Sequence, residues 1–498
     1  MPSLPFQTPG TTSIDPFTHI VQPKQKSVAD FTIHRVYPHT PTLLGNREWL
    51  PLQPTDLSIY PTVNSYTFPG RLDEKKLRSS LSKTLQRFPP YSGSVQAHPK
   101  DRSLQIKLDN SSVQLTIGET DEPGPFAAGW KGEEHPDYFD DLPRGSIHIT
   151  TGPGTPLFKA KATTWRKTGQ THLFVSQSYA LGDGFAMIQF MKCWSEFYQG
   201  KDSLITPTFE KYSLPPPQLP ARVNNIKDIE SLSFMLADFP EDFHRKRWRN
   251  LEIETERVEY CFDGIFVRRV WDCIQRQSGE AKIALHDAFS GYLISVLQSI
   301  LVEPVSYLQQ LITLRGRTFS YNGKPFTIPK TSMGNAYIIW GCDLGQACRK
   351  THPLRVAQLL KASRNELRDE NKLGRSYMWY NAFYERSISR NQQFIEVGYP
   401  DTIGINWLVN AGLNDPHFGY EKQQGHIEYE SLENFIQIWR ANATKQADGS
   451  WSQDPDGLQI VLRLKTQVAA KFRQRMEEHR KKFVDEGGPN LRAAPAMY

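Results

Sequence analysis

The chain has 498 residues, 38% of them hydrophobic and 22% charged, with 59 basic and 53 acidic side chains and a formal net charge of +6. Such a length exceeds what one hydrophobic core serves, so two core-bearing halves are expected, and the composition excludes a disordered or fibrous chain. The signs are interspersed, even in the densest basic run, Arg473 to Lys482, where Glu477 and Glu478 intervene, which argues against a nucleic-acid partner.

Residues 1–28 carry several prolines and little apolar periodicity, and read as an irregular arm before a first strand near Phe31–Val36. From Asp73, Leu77, Leu81, Leu85 and Phe88 recur at helical spacing until Pro89-Pro90, predicting an amphipathic helix against a sheet. Leu157–Trp165 and Thr171–Ser178, rich in β formers and separated by a polar turn, predict a hairpin. A helix is expected from Phe185, with Met187, Phe190, Met191, Trp194 and Tyr198 near one face and Gly200 just past its end. The proline run Ser213–Pro220 excludes regular structure and marks the domain boundary, giving an N-terminal domain over 29–212, a linker over 213–245 and a C-terminal domain over 246–498. Beyond it, Asp287 is expected to cap a helix carrying Phe289, Leu293, Val296, Leu297 and Ile300. Ser306–Leu314 reads as a strand and Leu458–Lys482 as the closing helix, with no internal repeat.

Five cysteines, Cys193, Cys261, Cys273, Cys342 and Cys348, show no C-x-x-C spacing, so neither a disulfide framework nor a metal site is expected, and a reducing compartment follows. The segment from Met1 to Asp15 has neither a basic nor an apolar targeting region, and no stretch reaches the length of a membrane span. The expectation is a cytoplasmic monomer.

The most informative segment is Ser178-Tyr179-Ala180-Leu181-Gly182-Asp183-Gly184, placed between the hairpin and the next helix. It resembles the H-x-x-x-D-G motif of the BAHD acyltransferases, with Tyr179 at the histidine. Further landmarks of that superfamily, in its fungal trichothecene-acetyltransferase-like branch, follow in order. They are Pro51–Asp56 with Leu81–Gly93, His286-Asp287-Ala288-Phe289, Leu314-Arg315-Gly316-Arg317, Met333-Gly334-Asn335-Ala336, Asn406-Trp407 and Asp415–Lys422. The resemblance spans roughly 30–480. It implies an α/β fold of two chloramphenicol-acetyltransferase-like domains with mixed β-sheets and a channel at their interface. It also implies acyl-CoA as co-substrate with no tightly bound cofactor, and a small-molecule metabolite of secondary metabolism as the acyl acceptor.

Residue by residue, the resemblance makes Asp183 a structural carboxylate paired with Arg315 or Arg317, and Gly184 part of the turn into the helix. The family's base is a histidine because the imidazole pKa lies near neutrality. A phenol at Tyr179 would keep its proton and act as a hydrogen-bond donor or acid instead. Replacement bases among the histidines are His417, in the C-terminal loop, then His286 before the second-domain helix and His172 on the strand before Tyr179. Asn406, Trp407 and His286 are candidates to line the channel. The activity implied is O- or N-acyl transfer. Two other classes remain open: a cavity catalyst steering a cyclisation, cycloaddition or isomerisation of a polyketide or terpenoid, and a noncatalytic metabolite-binding relative.

Overall fold

The computed structural model describes residues 30–57, 61–122, 151–214, 237–239, 254–279, 281–301, 305–344, 352–389, 393–395, 402–420, 424–426 and 434–485. The proposed arm over 1–28 and most of the linker over 213–245 lie outside these residues. Two six-stranded mixed sheets organise the chain. The first uses β1 (Asp30–Val36), β2 (Thr62–Phe68), β3 (Val113–Thr120), β4 (Phe158–Trp165) and β5 (Thr171–Gln177). The second uses β6 (Thr255–Phe262), β7 (Tyr307–Thr313), β8 (Tyr337–Asp343), β9 (Thr402–Trp407), β11 (Phe435–Arg440) and β12 (Leu458–Lys465), while β10 (Gln424–His426) returns to the first sheet.

The first sheet runs β1-β3-β4-β5-β2-β10, parallel only between β3 and β4. The predicted hairpin is β4 with β5, Phe158 opposite Gln177 and Thr164 opposite Thr171. Helix α1 (Glu74–Arg87) starts at Asp73, whose carboxylate accepts from Lys76 N at 2.8 Å, and it buries Leu77, Leu81 and Leu85. Helix α2 (Gly184–Tyr198) lies beside it, and the Trp194 indole donates to Leu77 O at 3.2 Å and Ser80 Oγ at 3.0 Å.

The second sheet runs β6-β12-β11-β9-β7-β8, with β11, β9 and β7 parallel. Three helices, α3 (Gly264–Gln277), α4 (Leu285–Ile300) and α5 (Pro353–Glu366), contribute to the core on one face, and α6 (Glu370–Ser389) follows α5. The expected closing helix over Leu458–Lys482 is half strand: β12 occupies Leu458–Lys465 and α7 only Thr466–Arg480. Leu458, Ile460, Leu462 and Leu464 alternate at period two, and this stretch pairs with β6 along all eight residues, so strand pairing outweighs the helical reading. Nor does Asp287 cap α4. Ala284 occupies the cap position, and the Asp287 carboxylate, inside the first turn, is taken by other side chains.

Helix α7 carries a buried histidine, His479, whose Nδ1 lies 2.8 Å from the Tyr292 hydroxyl of α4. Burial, with Arg475 and Lys482 nearby, pushes this imidazole down to about 4. Because the folded pKa is depressed, the unfolded chain takes up the proton first as pH falls, so stability is lost on acidification below about 6.5. The expected result is that His479→Gln flattens the pH dependence of the urea midpoint between pH 7 and 4.5 relative to wild type.

Candidate functional site

At the end of β5 the chain turns sharply into α2. Leu181 N donates to Ser178 O and Gly182 N to Tyr179 O, at 3.0 and 2.9 Å. Gly182 has φ of +137°, and a Cβ there would meet Ala186 Cβ at 2.6 Å and Gly334 O at 2.8 Å, so the turn tolerates only glycine. Gly334, at φ +88°, forms an isolated parallel bridge with Gly182, so a turn of the second half lies directly against this one.

Asp183 carries the contact. Its Oδ1 accepts from Ala186 N at 3.2 Å, which caps α2, and from Arg315 Nη2 at 2.9 Å. Its Oδ2 accepts from Arg315 Nη1 at 2.7 Å and Ala336 N at 3.1 Å. The remaining donors of Arg315 reach Ser332 O and Gly334 O, both at 2.8 Å, and its guanidinium lies over the Phe185 ring at 4.5 Å. This is a two-pronged arginine–carboxylate fork, buried and satisfied on both sides. Of the two arginines expected as its partner, the structure selects Arg315. Arg317 instead donates through Nε to Thr313 O at 3.0 Å.

Several side chains hold the turn from below, and none was among the residues singled out for the site. Gln177 donates through Nε2 to Gly182 O at 2.8 Å and accepts from the Tyr91 hydroxyl at 2.6 Å. The Tyr212 hydroxyl donates to Ala180 O at 2.9 Å and Leu181 O at 3.2 Å. Burial raises both phenols well above the usual tyrosine range, so they remain donors. Beside them Lys211 and Asp56 form an ion pair with both side chains fully enclosed. Burial pushes the Asp56 carboxyl up and the Lys211 ammonium down, and each partner opposes that shift in the other. Asn335 Nδ2 donates to Thr55 O at 2.8 Å, a second tie between the halves. Tyr212→Phe is expected to cost about 1 kcal/mol by removing a donor to two turn carbonyls, read as a lower urea midpoint at unchanged slope.

Tyr179 is half-buried and packs on a cluster from the second half. Its ring centroid is 6.2 Å from that of Tyr337, which continues to Tyr380 at 6.3 Å and Tyr384 at 5.3 Å beyond. Tyr179 and Asp183 therefore lie where the two halves touch.

The other expected site residues divide. His286 and Trp407 are brought together edge to face at 4.8 Å, and His286 Nδ1 lies 3.3 Å from Asp287 Oδ1, whose Oδ2 is held by Arg364. Asn406 is adjacent to Trp407 on β9, on the opposite face of the sheet by strand alternation. His417 is not brought to Tyr179. Phe418 N donates to Ser195 Oγ at 2.8 Å and its ring packs on Trp194 and Tyr198, so the loop docks at the far end of α2. Three helical turns, roughly 16 Å of rise, separate Ser195 from the turn that carries Tyr179. The carboxylate neighbouring His417, Asp415, is paired with Lys192 at 2.7 Å. His172 is likewise remote: it is buried near the start of β5, opposite Thr163 and Thr67, while Tyr179 follows the end of that strand.

Among the described residues no group of acidic, cysteine or histidine side chains could hold a metal ion, and no helix is long and apolar enough to cross a membrane.

Residues 32–259, less than half of the chain, match the model of the Transferase family. No curated protein gave a significant sequence match. Among solved structures, vinorine synthase superposes with a TM-score of 0.60 at 14% identity, over 89% of this chain and 96% of that one. TRI101 of F. sporotrichioides, complexed with coenzyme A and T-2, gives 0.57 at 15% identity over 85% and 95%. TRI101 of F. graminearum, complexed with ethyl coenzyme A, gives 0.56 at 12% over 89% and 97%. The chain has the α/β fold with mixed sheets of these acyltransferase-fold structures, and its first half matches the Transferase family.

Proposed function

We propose that the protein is an acyltransferase that moves an acyl group from a coenzyme A thioester onto a hydroxyl or amine of a small secondary metabolite, in a channel between its two halves. The observation that carries this reading is the turn at Tyr179–Gly184, held against the second half by the Asp183–Arg315 fork and the Gly182–Gly334 contact. So much fixed structure around one short turn is what a site needs when a reacting group must be placed to a fraction of an ångström. The coenzyme A complexes of the similar TRI101 structures favour the thioester as donor.

In this reading the acceptor oxygen or nitrogen attacks the thioester carbonyl carbon, the C–S bond breaks, and the acceptor's proton leaves with the thiol. The Tyr179 phenol donates a hydrogen bond to the carbonyl oxygen as it takes up negative charge. A second reading, favoured by the aromatic row Tyr179, Tyr337, Tyr380 and Tyr384, is a cyclisation or isomerisation of an apolar metabolite by the same donor. The test is mass spectrometry of metabolites incubated with purified protein, with and without acetyl-CoA. An acyl mass increment with thiol release supports transfer, and an equal-mass product formed without the thioester overturns it.

A further inference from the structure

Of the three histidines considered as replacement bases, His417 docks at the far end of α2 and His172 is enclosed in the first sheet. His286 is neither. It sits in the first turn of α4 with 17% of its side chain exposed, and its ring is wedged edge to face against Trp407. Its Nδ1 lies 3.3 Å from Oδ1 of Asp287, which is 1% exposed and has its other oxygen held by Arg364. A carboxylate so paired only accepts, so the hydrogen of this contact sits on Nδ1 and the ring's lone pair on Nε2. Among the described residues nothing donates to that lone pair. A ring with one nitrogen held by a buried carboxylate and the other left open is the arrangement a proton acceptor needs.

The place of this ring in the fold points to what it serves. Trp407 is the last residue of β9 and Thr313 the last of β7, two parallel strands paired with each other, and ligands of such sheets bind beyond the carboxyl ends of the strands. Thr313 pairs with Tyr337, the ring that faces Tyr179. Leu408, directly after Trp407, packs on a cluster that includes Ile188, one helical turn past Gly184 at the start of α2. His286 and Tyr179 therefore border the same edge of the second sheet, one from its helical layer and the other from the turn before α2.

We propose that His286, oriented by Asp287, is the general base of the acyl transfer. The proposal rests on the acyl-transfer reading for the reaction it serves. Nε2 takes the proton of the acceptor hydroxyl as the oxygen attacks the thioester carbonyl carbon. When the C–S bond breaks, the imidazolium returns that proton to the thiolate sulfur, leaving an ester, a thiol and a neutral imidazole. The Tyr179 phenol is a hydrogen-bond donor in this step, so removing the proton falls to another group, and an imidazole is the side chain suited to it.

The experiment incubates the full chain with acetyl-CoA and either benzyl alcohol or hydroxylamine, and measures thiol release together with benzyl acetate or acetohydroxamate. The alcohol must lose its proton as it attacks, whereas the hydroxylamine nitrogen attacks with a free lone pair, so the first reaction depends far more on a base. His286→Asn keeps a side-chain N–H where Nδ1 meets Asp287 and deletes Nε2, so it suffices for a purely structural role. It should melt as wild type does and lose benzyl acetate formation about 100-fold more than acetohydroxamate formation, the factor typical of a missing general base. Ester formation equal in wild type and His286→Asn, or both products lost to the same degree, overturns the proposal and leaves the acyl-transfer reading standing. A wild type that releases no thiol with either probe overturns that reading and the proposal with it. Should His286→Asn fail to fold, carbethoxylation of wild-type His286 by diethyl pyrocarbonate, mapped by mass spectrometry, takes its place: ester formation lost in step with modification upholds the proposal, and ester formation that survives full modification overturns it.

Discussion

Replacing Asp183 with alanine is expected to destabilise the protein by about 3–5 kcal/mol, the loss typical when a buried ion pair is broken on one side. The variant strands the Arg315 guanidinium, 8% exposed, with two donors unpaired, and it uncaps α2 by leaving Ala186 N without its acceptor. It also frees Ala336 N, so both turns that meet at Gly182 and Gly334 lose a fastening. Equilibrium urea denaturation checks it, with Asp183→Asn as the comparison: the amide keeps a cap for α2 and removes the charge, and should fall between wild type and alanine. An unchanged midpoint for Asp183→Ala would show that the fork contributes little to stability.

Tyr179→Phe is expected to lower turnover about 100-fold while leaving the melting temperature and the KM for the thioester near wild type. The ring, which is what packs against Tyr337, is retained, so the change isolates the hydroxyl. Loss of one preorganised donor to a developing oxyanion costs about 10²–10³ in rate, and a group that acts only on the transition state moves kcat rather than KM. The check is steady-state kinetics by thiol release, with product mass measured in parallel. Turnover equal to wild type would leave the phenol a packing role and place the chemistry elsewhere.

The motif at 178–184 and the amphipathic helices were legible because they depend on local rules. Glycine is needed where φ is positive, a carboxylate caps the helix it precedes, and leucines at spacing four make an apolar stripe, as at Leu77, Leu81 and Leu85. The strand at Leu458–Lys465 was not, since a short apolar run reads as helix or strand until its neighbour β6 is known. Sequence order likewise gave His417 and Asp287 their proposed places. The first docks at the wrong end of α2, and the second gives its carboxylate to Arg364 and His286, because through-space distance and side-chain competition have no signature in spacing.

By itself, then, the sequence determined the turn, its glycines and the two-sheet class, since each follows from residue type and period along the chain. Tertiary structure alone decided that Asp183 takes Arg315 rather than Arg317, 132 residues separating the chosen pair. It also enclosed Lys211 with Asp56 and set Gln177, Tyr91 and Tyr212 beneath the turn. These are contacts between charges and dipoles whose partners are fixed only when the two halves close on each other and water is expelled, at which point every buried donor must find an acceptor or cost the fold its full desolvation penalty.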